Sequence, residues 1–488
     1  MHLRPIAAVL AVLSAPLLAA PVEIAAVEHP VVATVERYTV ELPERESIAY
    51  AGLFRAAFPR GLPAAYGSGL RFKGYEADAS LSFWALTDRG PNGDSPRYAA
   101  GGKPLSSKVF LAPDFTPRIG VINVQLADSA RLASSLPLKQ DGKPVSGRPL
   151  PPESSGSSRE MPLDDALKPL KFDDFGLDPE GIDVDRQGRL WIVDEYGPVL
   201  AQVDAKTGEI LQQYLPGAGL PAILAERQPN RGFEGVAVTP AGKVVAAVQS
   251  TLDLKGETRS SARFIRLVEL DPASGATRMF AYPLEVDDYK RAGDAKLGDI
   301  VAIDETRFLL IEQGKDKNKR MRNIVYLVDL AGAQDLSGLT LADGRALEYG
   351  DAQALAALQA GGTVAGSSNI VSIGAPSGLR MARKTRLFDL RELGWTPEKA
   401  EGLAIVAEPG KAADATQLAF VNDNDFGLKG RVGKDGDPED FQVDAAGKLQ
   451  DGKGNATDAA YAIEAGEERD TQLWMVHLKR PLKDFFPK

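Results

Sequence analysis

The chain has 488 residues, 44% of them hydrophobic, which is enough for a large core. Its formal net charge of −10 and pI near 5.2 argue against nucleic acid or an anionic membrane as the main partner. With no cysteine and only His2, His29 and His477, the chain excludes thiolate nucleophiles, cysteine-held zinc and iron–sulfur clusters. A Ser-His-Asp triad or a histidine-rich metal site is equally hard to build.

The first residues have the pattern of a secretory signal. Arg4 supplies the positive start, Ile6 to Leu18 an apolar run too short to span a bilayer comfortably, and Ala19 and Ala20 the small residues at a cleavage site. Residues 1–20 are therefore expected to be removed, with a cut near Ala25 or Ala26 as the alternative to one before Pro21. An uncleaved anchor is the competing reading. No later segment is long and apolar enough to cross a membrane, so the expected product is a periplasmic or secreted monomer. Without disulfides, its stability must come from size.

From residue 31 to 488 the chain reads as one all-β domain. The 48 glycines and 33 prolines fit many turns between short strands. A unit recurs: a Gly-containing turn, an apolar strand, a turn, a second apolar strand and a polar loop. A loose copy opens at Tyr66-Gly-Ser-Gly69 and includes Leu81 to Leu86. Clear copies begin at Asp178-Pro-Glu-Gly181, Gly232-Phe-Glu-Gly235, Lys296-Leu-Gly-Asp299 and Lys399-Ala-Glu-Gly402. Repeats of this size predict the blades of a single β-propeller. Val31 to Leu42 is expected to pair with Leu473 to Leu478 and close the ring. That gives six blades, with five or seven left open. Pro144 to Pro169 reads as an exposed loop or lid, Asp351 to Ala360 as a helical insertion, and Gly427 to Ala460 as a flexible excursion.

In a propeller the first strand of each blade lines the central channel, so residues at equivalent starts meet at one axis. Glu180, Glu234 and Glu401 hold such positions, each followed by glycine. Crowded carboxylates need a cation or protons, and an all-oxygen ligand set selects a hard ion, Ca²⁺ ahead of Mg²⁺ or Mn²⁺. A second acidic set stands at second-strand ends: Thr87-Asp-Arg-Gly-Pro-Asn92, Asp194-Glu-Tyr-Gly-Pro198, Glu312-Gln-Gly314 and Asn422-Asp-Asn-Asp-Phe-Gly427. Antiparallel neighbours would bring both sets to one surface. The bland alternative is that Glu-Gly is an ordinary turn pair, or that any Ca²⁺ is purely structural.

These motifs, in this order, resemble the exported esterase-like phytase family, also described as phytase-like domain proteins. The matching segments are Gly67 to Leu70, Thr87 to Asn92, Asp178 to Gly181, Asp194 to Pro198, Asn230 to Gly235, Lys399 to Gly402 and Asn422 to Phe426. The first turn departs from the family pattern, and a Glu-Arg-Asp-like loop is replaced by Glu312-Gln-Gly-Lys-Asp316. The resemblance implies a propeller related to β-propeller phytases and large calcium-dependent bacterial alkaline phosphatases, hydrolysing a phosphoester or another ester.

A mechanism follows as an expectation. Glu180, Glu234 and Glu401, with Asp423 or Asp425, would hold Ca²⁺, and Asp194 and Glu312 complete the candidate ligands. Glu195 would help deliver the nucleophile, and Arg89 would neutralise developing charge. Lys315, Lys317 and Arg320 would hold the phosphate of a small anionic substrate, although a solvated basic loop is the plainer reading. A non-catalytic propeller with structural Ca²⁺ is the second hypothesis and a carboxylesterase the third. No Gly-x-Ser-x-Gly elbow and no P-loop is present.

Overall fold

The computed structural model describes residues 22–99, 101, 103–357 and 378–487. The expected signal therefore lies outside the described residues. So does the end of the expected helical insertion, which begins as the helix Ala352–Ala357.

Short apolar strands joined by tight turns build five four-stranded antiparallel sheets, and their starts follow the repeats read from the sequence. The first contains Leu70–Tyr75, Leu81–Leu86, Arg118–Gln125 and Ser129–Pro137. The second contains Pro179–Val184, Leu190–Asp194, Val199–Val203 and Ile210–Pro216. The third contains Phe233–Val238, Val244–Val248, Phe264–Leu270 and Thr277–Pro283. The fourth contains Lys296–Ala302, Arg307–Lys315, Met321–Asp329 and Arg383–Asp389. The fifth takes Gly402–Ile405, Gln417–Val421 and Gln472–Leu478 from the end of the chain and Val32–Glu41 from its beginning. The first strands of successive sheets pack side by side, and the fifth meets the first. The protein is a β-propeller.

The expected closure is present. Val32 pairs with Leu478 and Thr39 with Gln472. Its consequence differs from expectation. The C-terminal repeat supplies three strands of its own, so the N-terminal strand becomes the fourth strand of that sheet. No sixth four-stranded sheet forms among the described residues. The same strand continues into a short parallel pairing of Val40 with Ala130, tying the fifth sheet to the first.

The core lies in layers between sheets. Phe308, Phe420 and Trp474 are essentially fully buried, and each such side chain stabilises the fold by roughly 1.5–3 kcal/mol relative to exposure. At the axis the packing is backbone on backbone. A Cβ on Gly181 would lie 2.9 Å from the Cα of Gly235, and one on Gly235 would lie 2.7 Å from the Ile300 nitrogen. Gly69, Gly298 and Gly402 are held against the next first strand in the same way. The recurrent glycine is thus a close-approach residue rather than a turn residue. It narrows the axis and draws in the side chain just before it.

The two long insertions are ordered together. Asn92–Asp94, Ser107–Phe110 and Met161–Leu163 form one small sheet, and Leu428–Val432 pairs with Tyr461–Ala465 in another. Val109, Leu163, Val432, Val443 and Ile463 share a buried apolar cluster. The expected open loop and flexible excursion instead cover each other. Leu163 of the first segment and Val432 and Val443 of the second meet there with Phe58, Leu62 and Val109 from outside both, a grouping that neither segment reveals alone.

Candidate functional site

The first and second strands of each blade are antiparallel, so a strand start and its neighbour's end share one face. Pro179 pairs with Asp194, and Gly402 with Val421. Both acidic sets therefore converge. Glu180, Glu234 and Glu401 place carboxylate oxygens within 4.8 Å of one another, as do Asp178, Glu180 and Glu195, and Asp88, Asp423 and Asp425. Glu180 belongs to two of the three groups.

Glu180, Glu234 and Glu401 are only 5%, 1% and 2% exposed. The Gln249 amide donates to Glu234 Oε2 and to Glu195 Oε1, both at 2.7 Å, and the Gln313 amide donates to Glu401 Oε1 at 3.2 Å. Asn230 donates to the other Glu195 oxygen at 2.6 Å. Glu180 Oε2 and Asp178 Oδ2 are buried without a hydrogen-bond partner. Burial, then Asp178, Glu234, Glu401 and Glu195, push the Glu180 carboxyl well above its ordinary range. Burial, then Glu401 and Glu195, do the same to Glu234. Burial carries Glu401 up to about 8 against the pull of Lys399, and Asp178 up to about 7 against that of Arg89. Asp88 is also raised well above its usual range, by burial and then Asp423 and Asp178. A buried site with this much crowded acid takes up either protons or cations.

Two side-chain cations already stand at its edges. Lys399 lies 2.6 Å from Asp423, 2.8 Å from Asp425 and 3.7 Å from Glu401. Arg89, expected to face the reaction, is a buried ion-pair partner. Its Nη1 is 3.2 Å from Glu160, its Nε is 3.5 Å from Asp178, and its guanidinium lies over the Tyr196 ring.

Two candidate ligands stand apart from the three groups. Asp194 Oδ1 accepts the backbone N–H of Asp178 at 3.1 Å and of Tyr196 at 2.9 Å, so it braces the turns on either side. Glu312 accepts from Tyr282 and Tyr289 at 2.7 and 2.8 Å and pairs with Lys384 at 2.8 Å, away from the axis. Strand alternation explains this: the next residue, Gln313, faces Glu401 instead.

Beside Glu401 opens a cleft of ≈ 510 Å³ lined by seven cationic and four acidic side chains. Lys315 and Lys317 line it, together with Arg231, Lys290, Lys296 and Lys399, and Lys315 pairs there with Glu398 at 3.1 Å. Arg320 does not line it; its Nε and Nη2 both bind Asp316, at 2.9 and 2.8 Å. Sequence reasoning missed Asp88, Asp178 and Lys399, although each stands inside a motif already singled out. It missed Gln249 too, which occupies the same strand-end position as Glu195 and carries no charge to draw notice. Among the described residues no helix is long and apolar enough to cross a membrane.

A family model described as Phytase-like, esterase-like activity of phytase, matches residues 68–426. A protein of Arthroderma benhamiae named "Uncharacterized secreted protein" is 28% identical over 246 residues, which are 41% of this chain and 46% of that one. The match thus spans about half the length of that relative. Among solved structures, virginiamycin B lyase from Staphylococcus aureus aligns with 91% of this chain and 98% of its own, at 8% identity and a TM-score of 0.26. A Lactobacillus plantarum protein aligns with 85% of this chain and 90% of its own, at 11% identity and a TM-score of 0.30. At these scores neither likeness bears on the site.

Proposed function

The chain belongs to the Phytase-like family, and on that premise we propose that it is an exported, metal-dependent hydrolase of phosphoesters, with Ca²⁺ ahead of Mg²⁺ or Mn²⁺ as its ion. The observation that carries this reading is the orphaned Glu180 Oε2, buried between Asp178, Glu195, Glu234 and Glu401 beside a cationic cleft. The donor set fits a hard cation. It is all oxygen, acidic and largely buried, and Glu180 is shared by two groups. Glu180, Glu234 and Glu401 would hold one ion, and Asp178, Glu180 and Glu195 a second. A bound cation would neutralise the carboxylates and polarise a phosphoryl oxygen.

The chain's own residues do the rest. Lys296, Lys315, Lys317 and Arg231 draw an anionic substrate into the cleft and hold it by charge-assisted hydrogen bonds. Gln249 and Asn230 each donate to one oxygen of Glu195, fixing that carboxylate in place. Its position suits it to take a proton from an attacking water as the water oxygen bonds to phosphorus and the ester P–O bond breaks, and to return that proton to the departing alkoxide. Lys399 holds Asp423 and Asp425 toward the same face. Export rests on the expected signal and on the secreted relative.

A second reading has its own support. Glu180, Glu234 and Glu401 come from three different blades and meet at the axis, so a cation there would also clamp the ring without any catalysis. The two separate by assay of the purified protein on phosphomonoesters, phosphodiesters and carboxyl esters, with EDTA and with Ca²⁺. Calcium-dependent phosphoester turnover, lost in Glu234→Gln, supports the hydrolase. A Ca²⁺-dependent rise in melting temperature with no turnover of any ester supports the clamp.

A further inference from the structure

We propose that a second, smaller cleft outside the carboxylate centre binds an oxyanion, a phosphate or phosphoryl group, between Arg159 and Arg227. The cleft measures ≈ 300 Å³ and is lined by both arginines with Glu153, Ser154, Ser155 and Pro198 among others. It lies outside the turn that follows Glu195, because Arg227 Nη2 donates to the Tyr196 carbonyl at 2.8 Å and to the Ser157 carbonyl.

Three observations point to an anion. Neither arginine forms an ion pair among the described residues, in a protein where Arg71, Arg89, Arg189 and Arg266 each sit on a carboxylate. Arg227 Nε is buried and has no hydrogen-bond partner, and an unmet donor on a charged group is costly to leave so. The two guanidinium groups also act on each other. Burial, then the charge of Arg159, lowers the pKa of Arg227 to about 10. Arg227 has no ion-pair partner among the described residues, the Asp194 charge offsets its own only in part, and two neighbouring guanidinium groups form a site that an anion relieves. The Arg159 side chain is exposed at the edge of the cleft, on a fixed backbone. That backbone is in the left-handed region at φ 60°, and its N–H donates to Ser157 Oγ at 3.1 Å. Among the described residues Glu153 is the one carboxylate lining the cleft, and it is exposed, as Arg159 is.

This site is independent of the proposed catalysis, so its test excludes the metal. Inorganic phosphate is titrated calorimetrically into the full-length protein in EDTA, alongside Lys296→Met, which weakens the larger cationic cleft. The expected result is a saturable phosphate site that persists in Lys296→Met and in Glu234→Gln. Arg227→Gln weakens it by about tenfold or more, as loss of one charge-assisted contact requires. Arg227 also holds three carbonyls, those of Ser157, Tyr196 and Ala225, so Arg159→Asn is the second variant. Asparagine tolerates a left-handed backbone, and it should weaken binding similarly without unfolding the loop. A parallel titration with glycerol phosphate identifies the source: binding as tight as phosphate assigns the site to the phosphoryl group of a larger ligand, and weaker binding assigns it to the free anion. No saturable binding, or binding lost in Lys296→Met and kept in both arginine variants, overturns the proposal.

Discussion

Gly181 stands so close to Gly235 that a Cβ on the first would lie 2.9 Å from the Cα of the second. The contact joins the first strands of two neighbouring blades, and the residue before each glycine is a site glutamate. Gly181→Ala must therefore push two backbones apart. The expected cost is about 1–3 kcal/mol, the range for overpacking a tight interior. Denaturant unfolding reads that loss, and calcium affinity should fall with it, because Glu180 and Glu234 move with their glycines. A stability equal to the parent protein's would mean that the axis is looser than described.

The metal-free protein should lose stability as pH rises. Glu401 and Asp178 are raised in the folded chain to about 8 and about 7, against unfolded values near 4.3 and 3.9. Between these limits the folded state binds more protons than the unfolded one. The stability it gains is fully present below the unfolded values and is lost as pH climbs through the folded ones. Thermal melts in EDTA should fall steadily from about pH 5 to pH 8, and saturating Ca²⁺ should flatten the slope. A flat metal-free profile would show that the carboxylates are less crowded in solution.

The two cationic groups around the larger cleft should separate in kinetics. Lys296 lines it and has no ion-pair partner among the described residues, whereas Arg320 is spent on Asp316. Lys296→Met should raise KM for a phosphoester by about tenfold, as expected for one charge-assisted contact. Arg320→Met should leave KM essentially unchanged.

Glu312 should behave as a structural acid. Glu312→Gln leaves buried Lys384, which lies over the Tyr282 and Tyr326 rings, with the more exposed Glu285 as its remaining carboxylate partner. Breaking a buried pair costs roughly 3–5 kcal/mol, and the amide should recover part of it. Calcium affinity should not change. A variant of normal stability with weakened calcium binding would return Glu312 to the ligand set.

Much of this was readable in the sequence because the repeat is periodic. Asp-Pro-Glu-Gly at 178–181, Phe-Glu-Gly at 233–235 and Ala-Glu-Gly at 400–402 mark the same place in three blades, and symmetry does the rest. What failed was local and physical. Glu312 stands at the strand end that Asp194 holds in the second blade, and strand alternation turns the next residue, Gln313, to the axis instead. Val32–Glu41 has the pattern of a strand, but nothing in it says whether it begins a blade or completes one. The insertions looked unstructured because Leu163 and Val443 are buried in a cluster assembled from both insertions and from residues outside them, Phe58, Leu62 and Val109. Arg89 and Asp194 carry the right charges, but their hydrogen bonds tie them to the turns around the site.

The central claim is that the axial carboxylates bind a cation that the reaction needs. The most direct measurement is calorimetric Ca²⁺ titration of the EDTA-stripped protein, followed on the same sample by phosphoester hydrolysis. Saturable binding that restores turnover is expected, with both lost in Glu234→Gln while the fold persists. Saturable binding with no phosphoester turned over, or turnover undiminished in EDTA, would contradict the claim.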